Sequence, residues 1–341
     1  MKKVGFKRLA LSLAVVLGLS VVGCGSQPTA TSGTKTQEKI VAKFTHVTAP
    51  QTPKGKAAQK FADLVNERSK GRLEINVYPS GQLFGDKDEM EALQANNVQF
   101  ISPSAGKLVS FDKRFQIGDV PFLFNDNAAE SKFWDGEKGQ ALMKGLQAKG
   151  IIGFTTWPNG MRQMMNSKQE LKVPDDYKGM KFRIPSGGVL VDTFKALGAG
   201  ATVIPFSDTY TALQQKVVDG TIATFDNIAE EKYAEVLKYL TVANVNSLSY
   251  VVLMNKSFYD GLPKDLQDIV HQAMKEATDY ERQLSDQSAK DSMEKLKKSI
   301  KVHETTPEER QLYVKAMKPV WDKYEPIMGK DLFEAAQKAN Q

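Results

Sequence analysis

Apolar positions along the chain switch repeatedly between the two-residue period of strands and the 3.6-residue period of helices, and their order predicts an α/β protein. Residues 40–47 form a β-leaning apolar run, Pro50 and Pro53 punctuate the turn after it, and helical spacing over 54–68 ends at Gly71. Residues 72–78, Arg-Leu-Glu-Ile-Asn-Val-Tyr, alternate as a half-buried strand does and close a βαβ unit. A loop rich in breakers (79–85), helical spacing over 86–96 and a short strand over 98–102 extend it. The apolar knot 119–124, a helical stretch over 128–149 and a continuous apolar strand over 151–157 complete a first series. Pro158-Asn159-Gly160 divides it from a second series: strand 162–166, loop 168–178, strand 180–184, helix 189–197, strand 201–204, a helix N-capped by Ser207, a turn over 217–220 and strand 222–225. Two such series predict two lobes.

A strand over 249–254 precedes a helical stretch over 263–299, with Leu266, Ile269, Val270, Met274, Ala277 and Tyr280 on one face. That face fades after Leu284, which favours a helix packed across both lobes over a coiled-coil seam. Thr306-Pro307-Glu308-Glu309 is a capping box with proline at the first helical position and opens a last helical region. The sequence contains no internal repeat.

The first 23 residues break this pattern. Lys2, Lys3, Lys7 and Arg8 precede an apolar run from Leu9 to Val22, the arrangement of a secretory signal. The ending Val21-Val22-Gly23-Cys24 resembles the lipobox of bacterial lipoproteins, where cleavage before the cysteine is followed by lipidation of its thiol. Cys24 is the only cysteine, so no disulfide forms within one chain. Residues 24–39 then read as a flexible tether, rich in Ser, Thr, Gly and Gln, and the expected location is extracytoplasmic, lipid-anchored to the membrane. The formal net charge of +6 includes those four cations and no acid before Cys24, so the remainder carries +2. No basic stripe of the kind nucleic-acid binders present is left.

The richest chemistry lies at residues 178–185, Lys-Gly-Met-Lys-Phe-Arg-Ile-Pro. Met180, Phe182 and Ile184 alternate with Lys181 and Arg183, and Pro185 forbids further ladder pairing, so the strand stops just past the arginine. A guanidinium there, followed by Ser186-Gly187-Gly188, suits bidentate recognition of a carboxylate or phosphate, or a structural ion pair. Enzyme signatures are missing. There is no Gly-x-Ser-x-Gly elbow, the Gly145–Gly150 stretch lacks the Lys-Ser/Thr of a phosphate loop, and His46, His271 and His303 are too scattered for a metal set. No cofactor is expected.

Six motifs, in order, resemble the DctP-type substrate-binding proteins of tripartite ATP-independent periplasmic (TRAP) transporters over nearly all of the chain after the signal. They are Tyr78-Pro79-Ser80-Gly81-Gln82-Leu83, the knot 119–124, Gly160-Met161-Arg162, the stretch 178–185, Pro205-Phe206-Ser207-Asp208-Thr209-Tyr210-Thr211-Ala212-Leu213, and Val217-Val218-Asp219-Gly220. The resemblance implies a two-lobed, periplasmic-binding-protein-like α/β fold with hinge strands and a long helix spanning both lobes, closing on an organic acid. Lobe I is expected over 40–159 and 248–288, lobe II over 160–247 and 289–341. By the same resemblance Arg183 clamps the ligand carboxylate, Arg162 is a second arginine near the pocket, Phe206 packs on the ligand and Ser186 reaches it from just past the clamp. Ser104 and Lys107 fall where the family places polar pocket residues on the first lobe. Trp157 sits at a strand end facing the cleft, with core packing as its other reading. Where many members carry an asparagine after Asp-Gly, this chain has Ala223; Asp226 or Asn227 substitutes, or that wall is less polar. The implied ligand is a C4-dicarboxylate or a sugar acid, the implied partners are the TRAP membrane subunits, and a monomer is expected. A ligand sensor for a signalling receptor is the alternative use of the same fold.

Overall fold

Nine strands in one mixed sheet organise the described residues, 39–341, of this computed structural model. They are β1 (Ile40–Thr45), β2 (Leu73–Tyr78), β3 (Phe100–Ile101), β4 (Ile151–Asn166), β5 (Lys181–Ile184), β6 (Gly200–Val203), β7 (Gly220–Ala223), β8 (Tyr239–Asn255) and β9 (Lys301–Glu304). The expected signal peptide, Cys24 and all but the last residue of the expected tether lie outside the described residues. Spatial order is β2-β1-β3-β8-β4-β7-β5-β6, with β9 alongside β8. Helical crossovers make β1 parallel to β2 and β3, and β5 parallel to β6 and β7, while β4 and β8 run antiparallel to each other through the middle. The sheet therefore has two wings joined by two long central strands.

Those central strands depart from the sequence reading. Pro158-Asn159-Gly160 does not end a strand: β4 continues to Asn166, and register shifts at Gly153/Thr155, Pro158/Gly160 and Arg162/Met164 absorb the irregular residues. Gly160 takes φ 117°, a backbone region that favours glycine. Likewise β8 is 17 residues long, far beyond the expected 249–254. Its first half hides because it carries buried polar residues, which find partners on other elements: Asn246 Nδ2 donates to Asp119 O at 2.9 Å and Ser247 Oγ to Gly118 O at 3.2 Å.

Smaller differences have local causes. The helical stretch 128–149 breaks at Gly136 into Asn127–Asp135 and Glu137–Gly145. Ser207 is not an N-cap; a 3₁₀ turn, Phe206–Asp208, leads into helix Thr209–Gln214, and Ser207 Oγ donates to Asp208 Oδ1.

The long helix runs from Lys264 to Lys297. Its first half buries Leu266, Val270, Ala273, Met274 and Ala277 in a core shared with Phe44, Phe61 and helix Pro53–Arg68. Beyond Ala277 the buried face becomes polar, with Thr278, Glu281, Ser285 and Ser292. Ser285 Oγ donates to Pro158 O at 2.9 Å, and Ser288 and Ser292 donate to Asp226 Oδ1 at 2.9 and 2.7 Å. The helix thus packs along β4 and reaches the Phe225–Glu230 helix beyond it. No helix among the described residues is long and apolar enough to cross a membrane.

Candidate ligand-binding site

A cavity opens where the wings face each other, with about 460 Å³ of empty space counted to its mouth. One wall comes from the loop before helix Glu89–Gln94 and the segment after β3, which bring Asp86, Glu89, Pro103, Ser104 and Lys107. The other wall comes from the ends of β5 and β7 and the segments after them, with Arg183, Pro185, Phe206, Ala223 and Asn227. β4 and β8 supply Arg162, Leu248 and Tyr250 between the walls.

Arg183 sits next to last in β5, paired on both sides by Thr202 and Thr221, and is 2% exposed. Its Nε donates to Ile204 O at 2.9 Å, whereas Nη2 is buried with no hydrogen-bond partner. No carboxylate forms an ion pair with it among the described residues. Burial presses its pKa downward, opposed by Tyr233 and Asp86, and it remains a cation. Here is a buried charge with an open donor on a cavity wall.

Arg162 behaves differently. Its Nη1 donates to Asp119 Oδ1 at 2.8 Å, Asn246 Oδ1 at 3.1 Å and Ser247 O at 2.8 Å, so it lines the cavity while its charge is matched. Burial raises the Asp119 pKa, and the Arg162 charge and hydrogen bond oppose that shift. The other Asp119 oxygen accepts from Ser186 Oγ at 3.4 Å. Gly106 permits this packing: a Cβ there would run into Asp119 Oδ2 and lie 3.0 Å from Ser186 Oγ. On the facing wall Lys107 Nζ pairs with Asp86 Oδ2 at 2.8 Å, and the same oxygen accepts from Phe206 N at 3.2 Å, joining the two walls.

Arg183, Arg162, Phe206, Ser104, Lys107 and Ala223 therefore all come together on the cavity wall. Three other expected residues do not join that lining. Trp157 lies in the core, its Nε1 donating to Thr278 Oγ1 at 3.0 Å and its ring stacked on Phe44, because the register of β4 turns it toward the long helix. Ser186 is spent on Asp119. Asp226 faces the hydroxyls of Ser288 and Ser292, and Asn227, one residue on, holds the wall position instead. Sequence reasoning missed Asp86, Glu89, Leu248 and Tyr250: both acids fall in the helical stretch 86–96 and Tyr250 in the strand 249–254, and no motif singles any of the four out. No group of three His, Cys, Asp or Glu side chains among the described residues is placed to hold a metal ion.

A cleft between two wings, bridged by continuous strands and holding one unmatched buried guanidinium, defines a binding protein for small solutes. The chain belongs to the DctP family, the bacterial extracellular solute-binding proteins of family 7, whose model matches residues 44–326. It is 39% identical over 327 residues to the C4-dicarboxylate-binding periplasmic protein DctP of Rhodobacter capsulatus, covering 95% of this chain and 98% of that one. Among solved structures it superposes with TM-score 0.87 and 39% identity on a TRAP periplasmic solute-binding protein from Shewanella oneidensis with bound succinate, covering 89% of this chain and all of the other. The sugar acid-binding protein DctPAm of Advenella mimigardefordensis, in complex with galactonate, matches with TM-score 0.85 and 32% identity over 89% of this chain and 99% of that one. The protein is accordingly an extracytoplasmic solute-binding protein of a transporter, with the two-lobed fold of its neighbours, and not an enzyme.

Proposed function

We propose that the solute is a C4-dicarboxylate such as succinate or malate, held by one carboxylate on Arg183 and handed to TRAP membrane subunits. The observation that carries this reading is the unpartnered Nη2 of Arg183, buried on the wall of the cavity between the wings. A carboxylate there would complete a charge-assisted pair and relieve the cost of burying an unmatched cation. Lys107 lines the facing wall, where a second polar end of the ligand would lie, its own charge being paired with Asp86. The relatives named above support a dicarboxylate over a sugar acid, since identity is higher to those whose names or bound ligands are dicarboxylates. Closure would bring lobe I (40–159 and 248–288) and lobe II (160–247 and 289–341) together about β4 and β8, as a population shift driven by the ligand's preference for the closed state. Lipidation of Cys24 would keep the protein at the membrane; replacing Cys24 by serine should release it into the medium or periplasmic fraction.

The test is a thermal-shift screen of wild type and Arg183→Ala against dicarboxylates, sugar acids, keto acids, amino acids and neutral sugars. A ligand at about 100 times its Kd adds roughly 2.7 kcal/mol of apparent stability. Succinate or malate should raise the wild-type Tm and leave Arg183→Ala unmoved. A response to neutral sugars alone, or an equal response of the mutant, would overturn the reading.

A further inference from the structure

Clamping one carboxylate leaves Glu89 on the cavity wall unexplained. It opens helix Glu89–Gln94, is 1% exposed, and neither of its carboxyl oxygens has a hydrogen-bond partner among the described residues. A buried carboxyl without donors favours its acid form, and the acid form has an O–H that needs an acceptor.

The charged groups facing it are Lys54 from helix Pro53–Arg68, Lys107 from the segment after β3, and Asp86 from the preceding loop. Each is otherwise engaged. Lys54 Nζ donates to Ser102 O at 3.4 Å and stands 3.4 Å from the centroid of the Tyr250 ring; Lys107 and Asp86 are paired. Glu89 has its electrostatic neighbours at the Lys107 side of the cavity, whereas those of Arg183 are Tyr233, Asp86, Arg162 and Tyr250. Glu89 lines the same cavity as the clamp, so the acceptor its acid form needs can come from a ligand bound there.

We propose that Glu89, in its acid form, donates a hydrogen bond to the far carboxylate of the bound diacid, forming with Lys107 a second anchoring point that selects ligands with an oxygen acceptor at that end. The inference rests on the carboxylate reading above. It makes affinity depend on a proton held by the protein: burial raises the Glu89 pKa to about 8 against the pull of Lys54 and Lys107. Below that value the donor is present. Above it, an ionised Glu89 would meet the ligand carboxylate as a like charge.

The experiment is calorimetric titration of succinate into wild type and Glu89→Gln from about pH 6.5 to about 9.5, above the range in which succinate itself titrates. If only the acid form binds, wild-type affinity falls about 30-fold across that span, since the apparent Kd scales inversely with the competent fraction. Wild type should also take up protons on binding near pH 8 to 9, seen as a dependence of heat on buffer. Glu89→Gln keeps an N–H donor and has no proton to lose, so it should bind at neutral pH and show neither effect. Lys54, whose pKa burial lowers to about 7, titrates in the same span; a fall that persists in Glu89→Gln would assign the effect to Lys54 and overturn the inference. A pH-independent wild-type affinity would also overturn it while leaving the carboxylate reading intact. Failure of wild type to bind any diacid at any pH would instead sink the carboxylate reading, and this inference with it.

Discussion

Exchanging each of the two cavity arginines for methionine should separate stability from binding. Arg162→Met removes the cation opposite Asp119 and the donor to Asn246 and Ser247, leaving Asp119 buried with only the 3.4 Å contact from Ser186. Breaking a buried pair from one side costs roughly 3–5 kcal/mol. Arg183→Met loses one hydrogen bond, to Ile204 O, worth about 1 kcal/mol, but also removes an unmatched charge from the interior. The two effects oppose each other, so the empty mutant should lie within about 1 kcal/mol of wild type. Binding should respond strongly: losing one partner of a buried charge pair costs roughly 2–5 kcal/mol, a weakening of at least about 30-fold in Kd for succinate. Urea unfolding of ligand-free protein and calorimetric titration read the two quantities separately. If ligand-free Arg183→Met loses as much stability as Arg162→Met, the side chain is a structural strut and the argument from its open donor fails.

Two further predictions follow from packing and protonation. Gly106→Ala should lower stability by roughly 1–3 kcal/mol and weaken succinate binding, because its Cβ displaces the Asp119 carboxylate that matches Arg162; an unchanged urea midpoint and Kd would refute that steric role. His46 is fully buried with Nε2 unpartnered, and burial first, then Lys54, push its pKa down to about 3. A depressed histidine gives stability that is intact above about pH 6.5 and lost as pH falls, at about 1.4 kcal/mol per pH unit until the folded value is reached. Wild type should therefore lose about 2 kcal/mol relative to His46→Phe between pH 6.5 and 5; parallel unfolding curves for the two proteins would exclude this.

What could be read from sequence was whatever short-range periodicity encodes. The strand ending at Arg183 was legible because Met180, Phe182 and Ile184 alternate and Pro185 stops the ladder, and β5 ends one residue after the arginine. The long helix was legible from its apolar stripe, and the capping box of Thr306 and Glu309 from local chemistry; both form. Residues whose partners lie far along the chain were misread. Asp226 is turned from the cavity by serines 62 and 66 residues away, and Trp157 by Thr278, 121 residues away. Asn246 and Ser247 resemble loop residues until Gly118 and Asp119 are placed opposite them. Asp86 and Glu89 fall in a stretch read only for its helical spacing, and the groups that enclose them, Lys54 and Lys107 among them, come from other segments.

The central pair of strands bears on how such a protein can change its substrate. The chain leaves β4 at Asn166 and re-enters β8 at Tyr239, and these residues are register partners. Residues 167–238 are thus an insertion with adjoining ends, carrying Arg183, Phe206, Ala223 and Asn227, whereas Asp86, Glu89, Ser104, Lys107 and Tyr250 stay with the host sequence. A single recombination event replacing that cassette would preserve the host strand pairing and set a foreign clamp against a resident facing wall. New specificities can then arise by shuffling half-sites between relatives, without passing through one substitution at a time.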